Sequence, residues 1–148
     1  MMVNIYMLKQ EFEQAAKHAE TIIRHNGKDR FYYAALYYRA YCMKQLGRTE
    51  DAEKYYKEAI SLYRLATLNN AKTFDAYIYR SMCLRDIEEY DKALELLELM
   101  ENISPNIAEI YTLRADVYKL MGKELLMKEA LEHAYELKPE LKERLQVN

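Results

Sequence analysis

A spacing of 34 residues recurs in the C-terminal half of this chain and limits what the chain can fold into. Pro105 and Pro139 stand 34 residues apart, and between them two helix-period segments, 106–121 and 124–137, are interrupted at Gly122. The same distance carries Tyr111, Arg114 and Ala115 onto Tyr77, Arg80 and Ser81, so an aromatic, a cation and a small residue recur in register. A pair of helices of this size cannot bury its apolar face alone. Successive pairs therefore stack on one another, and a solenoid is expected.

An earlier unit superimposes on the middle one at a spacing of 41 residues, which carries Arg39 onto Arg80, Cys42 onto Cys83, Ala52 onto Ala93 and Ala59 onto Met100. The excess over the later spacing is seven residues, about two helical turns. The run Ile60–Leu68 stays apolar at helical spacing until Asn69 and Asn70, which puts the extra turns on the second helix of that unit. Ahead of it, Phe12-Glu-Gln-Ala15 is similar to Tyr90-Asp-Lys-Ala93 and predicts a helix from Phe12 to His25, stopped by Asn26–Gly27. The expected organisation is a single domain over 1–148. It comprises a clipped repeat at 1–26, a first full repeat at 30–70 with an elongated second helix, further repeats at 71–105 and 106–137, and a capping helix at 138–148, with Leu137, Leu141 and Leu145 on one stripe.

Three Gly and two Pro with 31% charged residues favour long helices over strands, so the class is all-α. A formal net charge of −2 gives no general attraction to nucleic acid or to an anionic membrane. No apolar run approaches the roughly 18 residues of a spanning helix. Met1–Leu8 lacks both a cationic flank and a small-residue cleavage site. A soluble, cytoplasmic protein is expected, with Cys42 and Cys83 as buried thiols.

Leu36, Ala40, Met43, Ala52, Tyr56 and Ala59 form a pattern that recurs as Tyr77, Ser81, Leu84, Ala93, Leu97, Met100 and Pro105, and again as Tyr111, Ala115, Tyr118, Leu131, Ala134 and Pro139. This pattern resembles the tetratricopeptide repeat (TPR) over residues 1–139. Met127 departs from it where Ala is usual, Ala19 where a large residue is usual, and Arg64 where the unit would close with Pro. The resemblance implies a right-handed α-solenoid of antiparallel helix pairs whose first helices line a concave groove. It also implies a scaffold that holds peptides, helices or other subunits and seldom catalyses.

No catalytic, cofactor or metal constellation is read from the residues. Gly27, Gly47 and Gly122 are isolated at helix breaks and cannot cradle a phosphate. His18, His25 and His133 lack a second His or Cys ligand one turn away, and Glu129 with His133 reads as a surface ion pair. Ser61, Ser81 and Ser104 carry no nucleophile signature.

The residues that ask for a function lie on the first helices, one position on from the packing stripe. They are Tyr37, Tyr38, Tyr41 and Lys44, then Ile78, Tyr79, Met82 and Arg85, then Thr112, Leu113, Asp116 and Lys119. The stripe reads either as packing between neighbouring first helices or as a groove that grips an apolar segment and meets an acidic group at Lys44, Arg85 and Lys119. A nucleic-acid groove is disfavoured by the acidic balance and by Asp75, Asp86 and Asp116 on the same helices. Chaperone-binding relatives share a clamp of Lys, Asn, Asn, Lys and Arg for a C-terminal carboxylate; these positions hold no Asn, and no such clamp is expected. A second expectation concerns the N-terminal edge. Met2, Tyr6, Met7 and Leu8, with Val3 and Ile5 among them, exceed what one helix face can bury and predict self-association into a homo-oligomer.

Overall fold

Eight α-helices and no strand make up the described residues of the computed structural model, which describes 11–25, 30–70 and 73–146. They are α1 (Phe12–Arg24), α2 (Arg30–Gln45), α3 (Thr49–Asn69), α4 (Phe74–Asp86), α5 (Tyr90–Ile103), α6 (Ala108–Leu120), α7 (Glu124–Leu137) and α8 (Glu140–Gln146). The all-α helix-pair architecture expected from the repeats is present. Acids in the first turns, among them Glu13, Glu50, Asp91, Glu109 and Glu124, lie against the positive end of each helix dipole. The N-terminal edge residues Met2, Tyr6, Met7 and Leu8 and the Asn26–Gly27 stop lie outside the described residues.

Three of the turns between paired helices have one design. After α2 the Arg48 amide reaches back to the Met43 carbonyl at 2.9 Å and the Gly47 amide to Lys44 at 3.1 Å. After α6 the Lys123 amide reaches Tyr118 at 2.9 Å and the Gly122 amide reaches Lys119 at 3.1 Å. This is the Schellman closure, which needs a left-handed residue; Gly47 and Gly122 supply it at φ +76° and +75°. After α4 the same pair of bonds, Glu89 to Leu84 and Glu88 to Arg85, is made with Glu88 at φ 65°.

The seven-residue insertion lengthens α3 to 21 residues against 14 for both α5 and α7. Helix α5 ends just before Pro105, because the residue preceding a proline is driven out of the helical region. Arg64 stands at the matching place in α3, so nothing stops that helix and it runs on to Asn69. The added turns are anchored at Tyr63, which is fully buried and donates its hydroxyl to the Tyr33 backbone carbonyl in α2.

Contacts divide the chain within α4 into two compact units, Met1–Cys83 and Leu84–Asn148. In the first, α1 packs on α2 and α2 on α3; in the second, α5 packs on α6, α6 on α7 and α7 on α8. The small residues predicted to let helices approach, Ala40, Ser81 and Ala115, are all buried. Met43 and Leu84 are buried with them one turn on, while Tyr118 is half-buried. Ser81 donates its hydroxyl to the Tyr77 carbonyl at 2.9 Å. Cys42 and Cys83 are buried thiols rather than a disulfide, and burial pushes the Cys42 thiol up to about 11. No helix among the described residues is long and apolar enough to cross a membrane.

Candidate functional site

Tyr37 is the hub of the aromatic stripe in the first unit, and it is a core residue. Its ring lies 5.9 Å from Tyr41, 6.0 Å from Tyr79, 6.2 Å from Tyr56 and 5.4 Å from Tyr38, and only 2% of its surface reaches solvent. This corrects the expectation that Tyr37 is an exposed anchor. Leu113 in the second unit is likewise buried. Tyr37 is covered because the rings of Tyr56 on α3 and Tyr79 on α4 close over it.

The residues around Tyr37 keep part of their surface. Tyr38, Tyr41, Ile78, Tyr79 and Met82 are half-buried, and Lys44 is exposed. Tyr41 packs edge-on against Phe12 at 6.3 Å, and Tyr79 stacks on the buried Tyr63 at 6.1 Å. Burial pushes the Tyr79 hydroxyl up to about 12, with the charge of Tyr38 adding to it; burial also raises Tyr38. The Tyr38 and Tyr79 hydroxyls are therefore neutral and can share hydrogen bonds without ionising at neutral pH.

In the second unit, Arg85 does not stand open to a ligand's acid. Its Nε lies 2.9 Å from Asp86 and its Nη1 lies 3.4 Å from Asp116, which corrects its expected role. Thr112 is half-buried, and its hydroxyl donates to the Glu109 carbonyl at 3.1 Å. Asp116 and Lys119 are exposed.

The recurring arginines form a feature that the sequence displayed and to which no role had been given. Arg39 is buried; its Nη1 lies 3.0 Å from Glu20, its Nη2 lies 3.3 Å from Glu58, and its guanidinium sits 4.1 Å over the Tyr55 ring. Arg114 meets Glu101 at 2.7 Å and lies 5.5 Å over the Tyr111 ring. Tyr111 in turn donates to the Pro105 carbonyl at 2.7 Å and lies 3.2 Å from the Glu101 carboxylate. Arg80, at the matching position, has no such carboxylate among the described residues; its Nε is buried without an acceptor, as that of Arg39 is too. His133 also departs from expectation: it stacks on Tyr111 at 3.8 Å instead of pairing with Glu129.

The extra turns of α3 shape a cleft of ≈ 300 Å³ in the first unit, lined by Tyr32, Tyr33, Leu62, Leu65, Asn69 and Thr73 among others. The apolar run after Ile60 was its sequence signal, read there only as helix length. Among the described residues no group of three or more His, Cys, Asp or Glu side chains is placed to hold a metal ion.

No curated protein sequence matches the chain at a significant level. The sequence profile of the tetratricopeptide repeat matches residues 33–64 and 108–141. Among solved structures, the chain is similar to TTC0263, a thermophilic TPR protein in Thermus thermophilus, at 21% identity and TM-score 0.63, covering 93% of this chain and 71% of that one. It is similar to YrrB, described as a TPR protein with an unusual peptide-binding site, at 20% identity and TM-score 0.55, covering 93% of this chain and 66% of that one. It is similar also to MamA 41-end from Desulfovibrio magneticus RS-1, at 22% identity and TM-score 0.53, covering 93% of this chain and 72% of that one. The chain thus spans about two thirds of the length of YrrB, and at these identities the likeness is one of fold. That fold is the one of protein–protein interaction scaffolds, generally without catalysis. The helix pairs, the small residues between them and the two profile matches together identify tetratricopeptide repeats at residues 33–64 and 108–141, within a chain of that fold.

Proposed function

We propose that the chain is a protein-binding module that grips a peptide or helix of its partner on the aromatic face of the first unit, with Tyr38, Tyr41, Ile78, Tyr79 and Met82 as contact residues and Lys44 at its basic end. The observation that carries this reading is the half-buried ring of tyrosines seated on the buried Tyr37. Tyrosines held by a rigid base offer contact area at little cost in side-chain entropy, and Tyr and Met are enriched at protein interfaces. YrrB, of similar fold, is described as having a peptide-binding site of its own, which makes peptide recognition on such a scaffold physically reasonable. In the second unit, Lys119 remains the exposed cation of the candidate set, while Asp116 and Arg85 face each other.

The test is selection from a displayed peptide library on the intact chain. Enriched peptides should bind the unmutated protein and lose roughly 1–4 kcal/mol on Tyr41→Ala or Met82→Ala, as interface anchors do. Lys44→Gln should slow association with acidic peptides and flatten its salt dependence. Absence of enrichment, or enriched peptides indifferent to both truncations, would remove the reading.

A further inference from the structure

Three arginines occupy one register position on successive first helices, and two are neutralised from a neighbouring second helix. Glu20 of α1 meets Arg39 at 3.0 Å, and Glu101 of α5 meets Arg114 at 2.7 Å. For Arg80 the preceding second helix is α3. The stacked rings of Tyr63 and Tyr79, 6.1 Å apart, bring that helix alongside α4. The residue following Tyr63 is Arg64, whose charge opposes that of Arg80. The repeat registers give the same answer, because the position of Glu101 is taken by Ile60 and that of Glu58 by Leu99. Arg80 is thus left without a carboxylate among the described residues; its Nε is buried with no acceptor, as that of Arg39 is too, and the missing acid is what sets it apart. Burial, and after it the charge of Arg64, lower its pKa from the ordinary arginine value. The side chain as a whole keeps part of its surface in solvent, and Arg64 is exposed.

An arginine so placed is a strong donor that keeps part of its surface in solvent and that no internal acid meets among the described residues. We propose that Arg80, with Arg64 beside it, is a receptor site for a carboxylate of a partner protein, an Asp or Glu side chain that fills the place Glu20 and Glu101 fill for the other two arginines. Charge complementarity commits the occupant: two cations near enough to feel each other's charge accept an anion, and Arg39 and Arg114 each meet a carboxylate. The planar fork of arginine suits a carboxylate bidentately. The inference rests on the protein-binding reading above. The two fail separately, because Tyr41→Ala and Met82→Ala test the aromatic face and leave this pair intact.

Acetylated, amidated tetraglutamate and tetraglutamine peptides and inorganic phosphate are titrated against the intact chain by calorimetry at low ionic strength, with thermal melts of each variant in parallel. The unmutated chain should prefer tetraglutamate over tetraglutamine, and Arg80→Gln should weaken that binding about tenfold or more, as loss of a charge-assisted hydrogen bond does. Arg80→Gln should melt no lower than the unmutated chain, since no internal ion pair is lost, whereas Arg39→Gln should melt lower. Arg64→Glu supplies the missing acid from within; it should raise the melting temperature and abolish tetraglutamate binding. Equal binding of the two peptides, tetraglutamate binding unchanged by Arg80→Gln, or phosphate binding without peptide binding would each overturn the proposal.

Discussion

Tyr63 donates its hydroxyl to the Tyr33 backbone carbonyl, tying the two extra turns of α3 to the first turns of α2. The ring itself lies 6.1 Å from those of both Tyr33 and Tyr79, so the residue is at once a packing centre and a hydrogen-bond donor. Burial holds the hydroxyl well above the ordinary tyrosine value, which keeps it a donor at every pH of interest. Tyr63→Phe should cost about 1 kcal/mol, the net worth of one buried hydrogen bond. Tyr63→Ala should cost about 3–5 kcal/mol through the cavity it leaves. Urea melts of both variants measure the difference; equal losses would mean that the hydroxyl contributes nothing.

The burial of Tyr37 separates it from its neighbours on the stripe. Tyr37→Ala should lower stability by about 3–5 kcal/mol and abolish any binding only through unfolding. Tyr41→Ala removes a ring that is part-exposed and packs on Tyr37 and Phe12, so its cost should stay near 1–2 kcal/mol. Chemical denaturation of the pair decides the matter. Comparable losses would make Tyr41 a core residue as well and would withdraw it from the binding face.

The sequence period made the helix pairs, the seven-residue insertion and the capping helix legible, because a repeat states the same packing requirement several times and each copy checks the others. Tyr37 was misread for a geometric reason. One position along a helix turns the side chain by about 100°, which leaves the packing stripe at Leu36, but Tyr79 and Tyr56 close over that side too. Such closure depends on how two helices are set against each other, which no single-helix pattern contains. Arg85 was misread in the same way: its pairing with Asp116 joins two candidate residues 31 positions apart. The arginine register was visible, but its meaning required the acids opposite each member, and those come from different helices.

Glu88 carries the turn after α4 in the left-handed region, where Gly47 and Gly122 carry the equivalent turns. A non-glycine residue there costs about 1–2 kcal/mol in steric strain, and glycine gives back roughly half of that gain as unfolded-state entropy. Glu88→Gly should therefore stabilise the chain by about 0.5–1 kcal/mol. The reverse change, Gly122→Ala, should cost about 1 kcal/mol, and through the backbone alone, since a Cβ built there meets nothing within 4 Å. Thermal melts check both signs, and a destabilised Glu88→Gly would show that the glutamate side chain makes a compensating contact.

The ion pair between Arg114 and Glu101 gives stability a definite dependence on acid. Burial alone pushes the Glu101 carboxyl up, but the hydrogen bond and charge of Arg114, then the Tyr111 hydroxyl and the charge of His133, outweigh it and hold the group below the ordinary value. A carboxyl depressed in the folded state binds its proton less readily there than in the unfolded chain. Its contribution is therefore complete above the unfolded value of about 4.3 and is lost as pH falls through the lower, folded value. Glu101→Gln removes that dependence while leaving an amide that still accepts from Arg114. It should cost about 1 kcal/mol near neutral pH, and the gap between variant and parent should close as pH drops below about 4.3. Melting temperatures recorded from about pH 7 to pH 3 test this directly: a gap that stays constant over that range would mean that Glu101 stabilises the fold by shape and hydrogen bonding, with no contribution from its charge.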